Sequence, residues 1–235
     1  VLLARNIALR NPRVEDEQQL NYAVQITLDR IIFLRICEDR GIEPEEQLKT
    51  LSNQPGVYAG LLNLFRHADL KYNSGLFNFT HDKDDNTPPD TFTPSLTIDD
   101  RALKEIIHGL YYPCPYIFKE IPVEILGQVY EQFLGQVIRL TAGHQAKVEE
   151  KPEVRKAGGV YYTPKYIVDY IVENTVGKLL EGKTPTEAAA LKIVDPACGS
   201  GSFLLGAFQY LIDWHERWYL ANEPQKWARG KAPAL

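Results

Sequence analysis

Methionine is missing altogether from these 235 residues, and the first residue is Val1. The closing stretch KWARGKAPAL carries no clear terminal element, so the expectation is a fragment, or a gene product cut at domain level. Cysteine is scarce: Cys37, Cys114 and Cys198 are odd in number and far apart, with no CxxC pair and no His cluster beside them. That excludes a zinc framework and points to a reducing, cytoplasmic setting with no metal site. Apolar runs of the ~20 residues needed to span a bilayer are also absent. The N-terminus VLLARNIALRNP lacks the small-residue cleavage site of a secretory signal, so neither export nor membrane insertion is expected. Positive charge is short as well. A formal net charge of -5 excludes a simple basic nucleic-acid binder, because neutralising phosphates takes clustered Lys and Arg.

What is present is a chain 44% hydrophobic, enough for one large domain or two smaller ones with real cores, and free of repeats and low-complexity tracts. Residues 1–150 read as a mainly helical N-terminal domain. The clearest helix runs from about Glu15 to Arg40, with Leu20, Val24, Leu28, Ile31 and Leu34 at three- and four-residue steps and Gly41 placed to stop it. Gly56 to Ala68 and Ile98 to Leu110 give two more helical patterns, separated by a polar, Pro-rich loop from His81 to Pro94. Pro122 opens a further core helix whose Val123, Leu126, Val129, Tyr130, Phe133 and Leu134 form one stripe. The charged stretch from His144 to Gly159 reads as a linker, and the domain boundary is placed there.

Residues 151–235 follow another pattern. Thr163 is a good N-cap with Pro164 at the first helical position, and Thr184-Pro185-Thr186-Glu187 has the spacing of a capping box. Leu191 to Pro196 is a short apolar run expected to be a strand. It is followed by the small-residue turn ACGSGS and a helix from about Ser202 to Tyr219. Strand, glycine turn and helix form the opening unit of a doubly wound α/β sheet, so the fold class is α/β, Rossmann-like in its second domain. Gly199 and Gly201 let the backbone turn tightly and a ligand lie against it, while the helix presents free N–H groups. Asp195 adds a carboxylate that can accept from an ammonium or a hydroxyl.

The segment DPACGSGSF closely resembles motif I, the S-adenosylmethionine loop of DNA adenine methyltransferases. The resemblance implies that Asp195, Pro196, Ala197, Cys198, Gly199, Ser200, Gly201, Ser202 and Phe203 line the methionine and adenosine side of that cofactor. Upstream, GGVYYTPKYIVDYIV (Gly158 to Val172) is similar to motif X of the same enzymes, which implies that Tyr162, Thr163 and Pro164 lie near the methionine end. The order, motif X before motif I, is that of the class whose target-recognition region is C-terminal. Asn21 to Glu43 and Ile121 to Gly135 resemble the helical region between nuclease and methylase in type IIG restriction-modification enzymes and related phage-defence methylases. The implied partners are double-stranded DNA and a fused or associated nuclease and target-recognition domain.

The tetrapeptide Asn/Asp-Pro-Pro-Tyr/Phe, with which these enzymes hold a flipped adenine, does not occur. Asn11-Pro12-Arg13-Val14 lacks the second Pro and the aromatic, and Thr87-Pro88-Pro89-Asp90 lacks both ends. No catalytic residue is therefore assigned, and the chain alone is expected not to methylate DNA. Cys198 reads as a small packing residue, since methyl transfer to an amine needs no enzyme nucleophile. Arg35, Glu38, Asp39 and Arg40 read as a solvated or salt-bridged helix end. Two rivals stand beside this reading. Gly177 to Thr184 satisfies the phosphate-loop pattern of nucleotide triphosphatases, but that loop must follow a strand, whereas Tyr166 to Leu180 reads as helix. The helical region could also be a non-catalytic scaffold joining nuclease to methylase.

Overall fold

The computed structural model describes residues 1–14, 16–72, 74–80, 88–121, 125, 129, 135–141, 143–151, 163–229 and 232–233. It divides into two compact units, Val1–Ile121 with Gln136–Arg155, and Pro122–Gly135 with Lys156–Leu235.

In the first unit, α1 (Leu2–Arg10) buries Leu3, Ala4, Ile7 and Ala8. Asn11 then folds back: its side-chain amide donates to Ile7 O and Thr97 O, and its carbonyl oxygen accepts from Thr97 N. The Asn11-Pro12 pair is thereby spent on structure. Helix α2 (Glu17–Asp39) is capped by Asp16, whose side chain accepts from Gln18 N, and it ends where Gly41 takes a φ of 69°. The glycine stop follows the sequence pattern, and the helix begins two residues later than expected, after the Asp16 cap. Around α2 pack α3 (Gln47–Ser52), α4 (Val57–Tyr72) and α5 (Asp100–His108), which bury Leu48, Leu61, Phe65, Leu103 and Ile107 in one apolar core.

Two features of this unit go beyond the sequence reading. The Pro-rich stretch before Pro94 is a loop over residues 88–92, as expected, but it also contributes a buried charge that the sequence did not indicate. Asp90 reaches the core and pairs with Arg30 at 2.9 Å, with both side chains almost fully buried. Arg30 also donates to Leu76 O and Thr93 Oγ1 and lies over the Phe79 ring. The charged stretch from His144 is not a linker over its first part, because Ala146–Glu150 forms β2, antiparallel to β1 (Gln136–Leu140). The outer edge of β1 is bonded by side chains of α2: Asn21 donates to Ile138 O and accepts from Ile138 N, and Glu17 accepts from Leu140 N. An edge that would otherwise expose unpaired backbone is closed. Most of the helix expected from Pro122 lies outside the described residues. Within it Ile125 and Val129 are helical and exposed, so Val129 does not face a core.

The second unit is built on α6 (Lys165–Val172), which continues through a π turn (Glu173–Gly177) into α7 (Lys178–Leu180). Then come α8 (Pro185–Ala188), α9 (Ser202–Asn222), α10 (Pro224–Trp227) and a short antiparallel pair, β3 (Ala228–Arg229) with β4 (Ala232–Pro233). The expected capping box is present, with Thr184 and Glu187 bonding each other's backbone N–H. Val168, Val172, Val176 and Leu180 are the buried stripe, closed by Ala188 and Ala207. Leu191 to Pro196 is neither helix nor strand. A strand exists only by pairing, and no partner for this run lies among the described residues; Val194 is 85% exposed. No helix among the described residues is long and apolar enough to cross a membrane.

Candidate functional site

The bend after Val194 is held by two local hydrogen bonds, one to a side chain and one within the backbone. Asp195 Oδ1 accepts from Ala197 N at 3.0 Å, and Gly201 N donates to Cys198 O at 2.7 Å. Gly199 and Gly201 take φ values of 54° and 79°, a left-handed conformation that costs side-chain-bearing residues about 1–2 kcal/mol. Gly201 is also the N-cap of α9, without a side-chain cap, and a Cβ placed on it would meet nothing within 4 Å. The first N–H groups of α9 thus open onto an uncrowded cradle, where the positive end of the helix dipole favours a negative group. Pro196, Ala197, Cys198 and Gly199 are exposed, and Asp195, Ser200, Ser202 and Phe203 half-buried. The bend is not packed shut by side chains. Cys198 corrects the expectation of a packing residue: it faces solvent, because the turn directs it away from the apolar cluster.

The upstream candidates divide. Tyr162 lies outside the described residues. Thr163 is half-buried and Pro164 exposed. The N-cap of α6 is Pro164 rather than Thr163, with φ -56° and ψ 142°, and no side chain caps the helix. The extended ψ of Pro164 shifts the helix start one residue onward and takes the Thr163 hydroxyl out of capping position. Neither α6 nor α9 carries a side-chain cap.

Packing brings these two helix starts together. A Cβ on Gly206 would sit 2.7 Å from Val168 Cγ1 and 3.6 Å from Val172 Cγ2, while one on Gly177 would sit 2.7 Å from the Tyr210 hydroxyl. The contacts advance in the same sense along both helices, so α6 and α9 begin at the same end. Both starts lie about one helical turn from the Val168–Gly206 contact. Periodicity identified each helix, but the small residue at position 206 carried no visible meaning until its neighbour across the interface was known. The rival phosphate loop meets the opposite geometry. The residues before Gly182 are helical from Lys165 to Leu180, so no strand leads into Lys183.

Around Arg35 the charged residues form a structural network. Arg35 pairs with Asp39 and Glu38, donates to Leu110 O and lies over the Tyr111 ring. Glu38 accepts from Leu48 N and the Tyr111 hydroxyl, and burial pushes its carboxyl above the usual range despite those donors. The salt-bridged reading of this helix end holds, and for Arg35 and Glu38 the solvated one does not.

Residues 122–221 match the N-6 DNA Methylase family. Over 226 residues the chain is 34% identical to the type II restriction enzyme and methyltransferase RM.Eco57I of Escherichia coli, covering 96% of this chain and 21% of that protein. It is 24% identical over 289 aligned residues to a putative type II restriction enzyme and methyltransferase of Methanocaldococcus jannaschii, covering 90% of this chain and 22% of that one. A third relative, the adenine-specific methyltransferase BrxX of Escherichia coli O9:H4, is 27% identical over 134 residues, 43% of this chain and 11% of its own. The chain spans about a fifth of the length of the first two. No solved structure matches it.

Proposed function

From the premise that this chain belongs, through residues 122–221, to the N-6 DNA methylase family of restriction-modification systems, we propose that it is the S-adenosylmethionine-binding portion of a DNA adenine-N6 methyltransferase. The observation that carries the proposal is the open backbone cradle from Asp195 to Gly201 at the start of α9, set beside the start of α6. Asp195, Gly199 and Gly201 hold the amino and nucleoside portions of the cofactor, lined by Pro196, Ala197, Cys198, Ser200, Ser202 and Phe203. Tyr162, Thr163 and Pro164 flank its methionine end. When bound, the cofactor supplies the methyl group as a sulfonium. The chain's own residues bind and orient it; none of them is assigned the target base.

The proposal includes a Rossmann-like methylase domain and a division into a helical connector, 1–150, and a methylase part, 151–235. Double-stranded DNA, a nuclease and a target-recognition domain are the partners of the whole enzyme, which works in the cytoplasm. Their support is that two of the relatives are each named as both a restriction enzyme and a methyltransferase. Isothermal titration of the chain with S-adenosylmethionine tests the site. Saturable binding that disappears in Gly199→Val and Asp195→Ala, with the circular dichroism unchanged, is the expected result. No binding by the folded parent chain would leave the scaffold reading in its place, and ATP binding abolished by Lys183→Ala would revive the phosphate loop.

A further inference from the structure

Gly206 is not part of the loop and sits in the second turn of α9, where a helix former would ordinarily be preferred. Glycine there is less favourable than alanine by about 1 kcal/mol. Something else must account for it, and the neighbour does: a Cβ at 206 would lie 2.7 Å from Val168 Cγ1, well inside the 3.4 Å at which ordinary contact begins. Val168 cannot step aside. It is 3% exposed, enclosed by the cluster of Val172, Val176, Leu180 and Ala207, and a β-branched side chain in a helix has one strongly preferred χ1 rotamer. A side chain at 206 therefore moves the helices rather than a rotamer. Gly177 is a different case, because the atom a Cβ would meet there is the hydroxyl at the far end of the half-buried Tyr210, which can swing.

We propose that Gly206 is a positioning residue for the cofactor site: its missing side chain sets the spacing of α6 and α9, and with it the distance between the Thr163-Pro164 turn and the Asp195–Gly201 bend. This rests on the cofactor reading above, since the two helix starts matter together only if one ligand spans them. Moving one of the two elements away from a shared ligand breaks hydrogen bonds to it, and the loss of one or two such bonds weakens binding by roughly tenfold.

The experiment is titration of the full 235-residue chain with S-adenosylmethionine, well below the melting temperature, for the parent, Gly206→Ala, Gly177→Ala and the double variant Val168→Ala/Gly206→Ala. Roughly tenfold or more weaker binding is expected for Gly206→Ala, with its circular dichroism retained. Affinity close to the parent's is expected for Gly177→Ala, and recovery of most of the loss for the double variant, in which the opposing methyls are gone. Should Gly206→Ala unfold, the double variant carries the test, and parental affinity is the expected reading. Binding by Gly206→Ala equal to the parent's, or a folded double variant that stays weak, would overturn the proposal while leaving the site reading intact. A folded parent that does not bind would remove both.

Discussion

Arg30 is the most fully enclosed charge of the first unit, and its partners come from segments far away in sequence: Leu76 O, Asp90 and Thr93. An ion pair of this kind stabilises little relative to a well-packed apolar pair, yet losing one partner strands the other charge. Asp90→Asn is expected to lower unfolding stability by about 3 kcal/mol, and Arg30→Met with Asp90→Leu by clearly less, both read from urea midpoints. Asp29, the residue beside it on α2, is half-buried, and loss of hydration raises its carboxyl from 3.8 to about 6. With the folded value above the unfolded one, the folded state binds the extra proton between them. Its stability contribution is therefore greatest below about pH 4 and is lost as pH rises through 6. The difference in unfolding stability between the parent and Asp29→Asn should change across that window and be flat above it. A difference that does not vary from pH 4 to 7 would show that Asp29 titrates normally. Glycines 199, 201 and 206 complete this scale, the first two for their left-handed backbone and the third for the space it leaves.

Among the elements, α2 was the most legible, because its apolar steps and its glycine stop are local signals. Gly41 has a φ of 69° and nothing within 4 Å of where a Cβ would stand, so its requirement is purely conformational. Gly41→Ala should cost about 1 kcal/mol, and Gly41→Asn less, since Asn tolerates this backbone better. Thermal melts of the two variants measure that order, and equal melting points would contradict it. The hairpin β1–β2 was not legible. Its first strand, QVIRL, alternates only weakly, and its second, AKVEE, carries three charges. It exists because α2 closes the open edge of β1 with Asn21 and Glu17, residues more than a hundred positions earlier. Asn21→Leu should lose the bonds to Ile138 N and O while keeping the helix. Faster amide exchange at Ile138, with α2 protected as before, is the outcome that fits. The helix start at α6 was misplaced by one residue for a different reason: a residue before proline is biased toward extended backbone, and here Pro164 itself is extended as well.

At the scale of the molecule, two units have separate cores, one around α2 and one around the Val168 stripe. The tetrapeptide that would hold the target adenine is not in the sequence, so labelled S-adenosylmethionine incubated with this chain and duplex DNA should transfer no methyl group; transfer above a no-enzyme control would refute that. The second unit also leaves Tyr170, Val194, Phe208 and Ile212 exposed, and replacing Val194 and Phe208 with polar residues should reduce binding of a hydrophobic dye such as ANS. The sequence alone determined the helices α2, α4, α5, α6 and α9, where the glycine bend lies and which family it resembles, while the helices α1 and α3 gave no signal. All of these depend on residues within a few positions of one another, where propensity, capping and motif spacing act. Tertiary structure decided which polar residues are consumed in the core, which strand edge is closed by which helix, and that α6 and α9 begin side by side. Those outcomes depend on what a side chain meets across an interface, and a one-dimensional pattern holds no record of that distance.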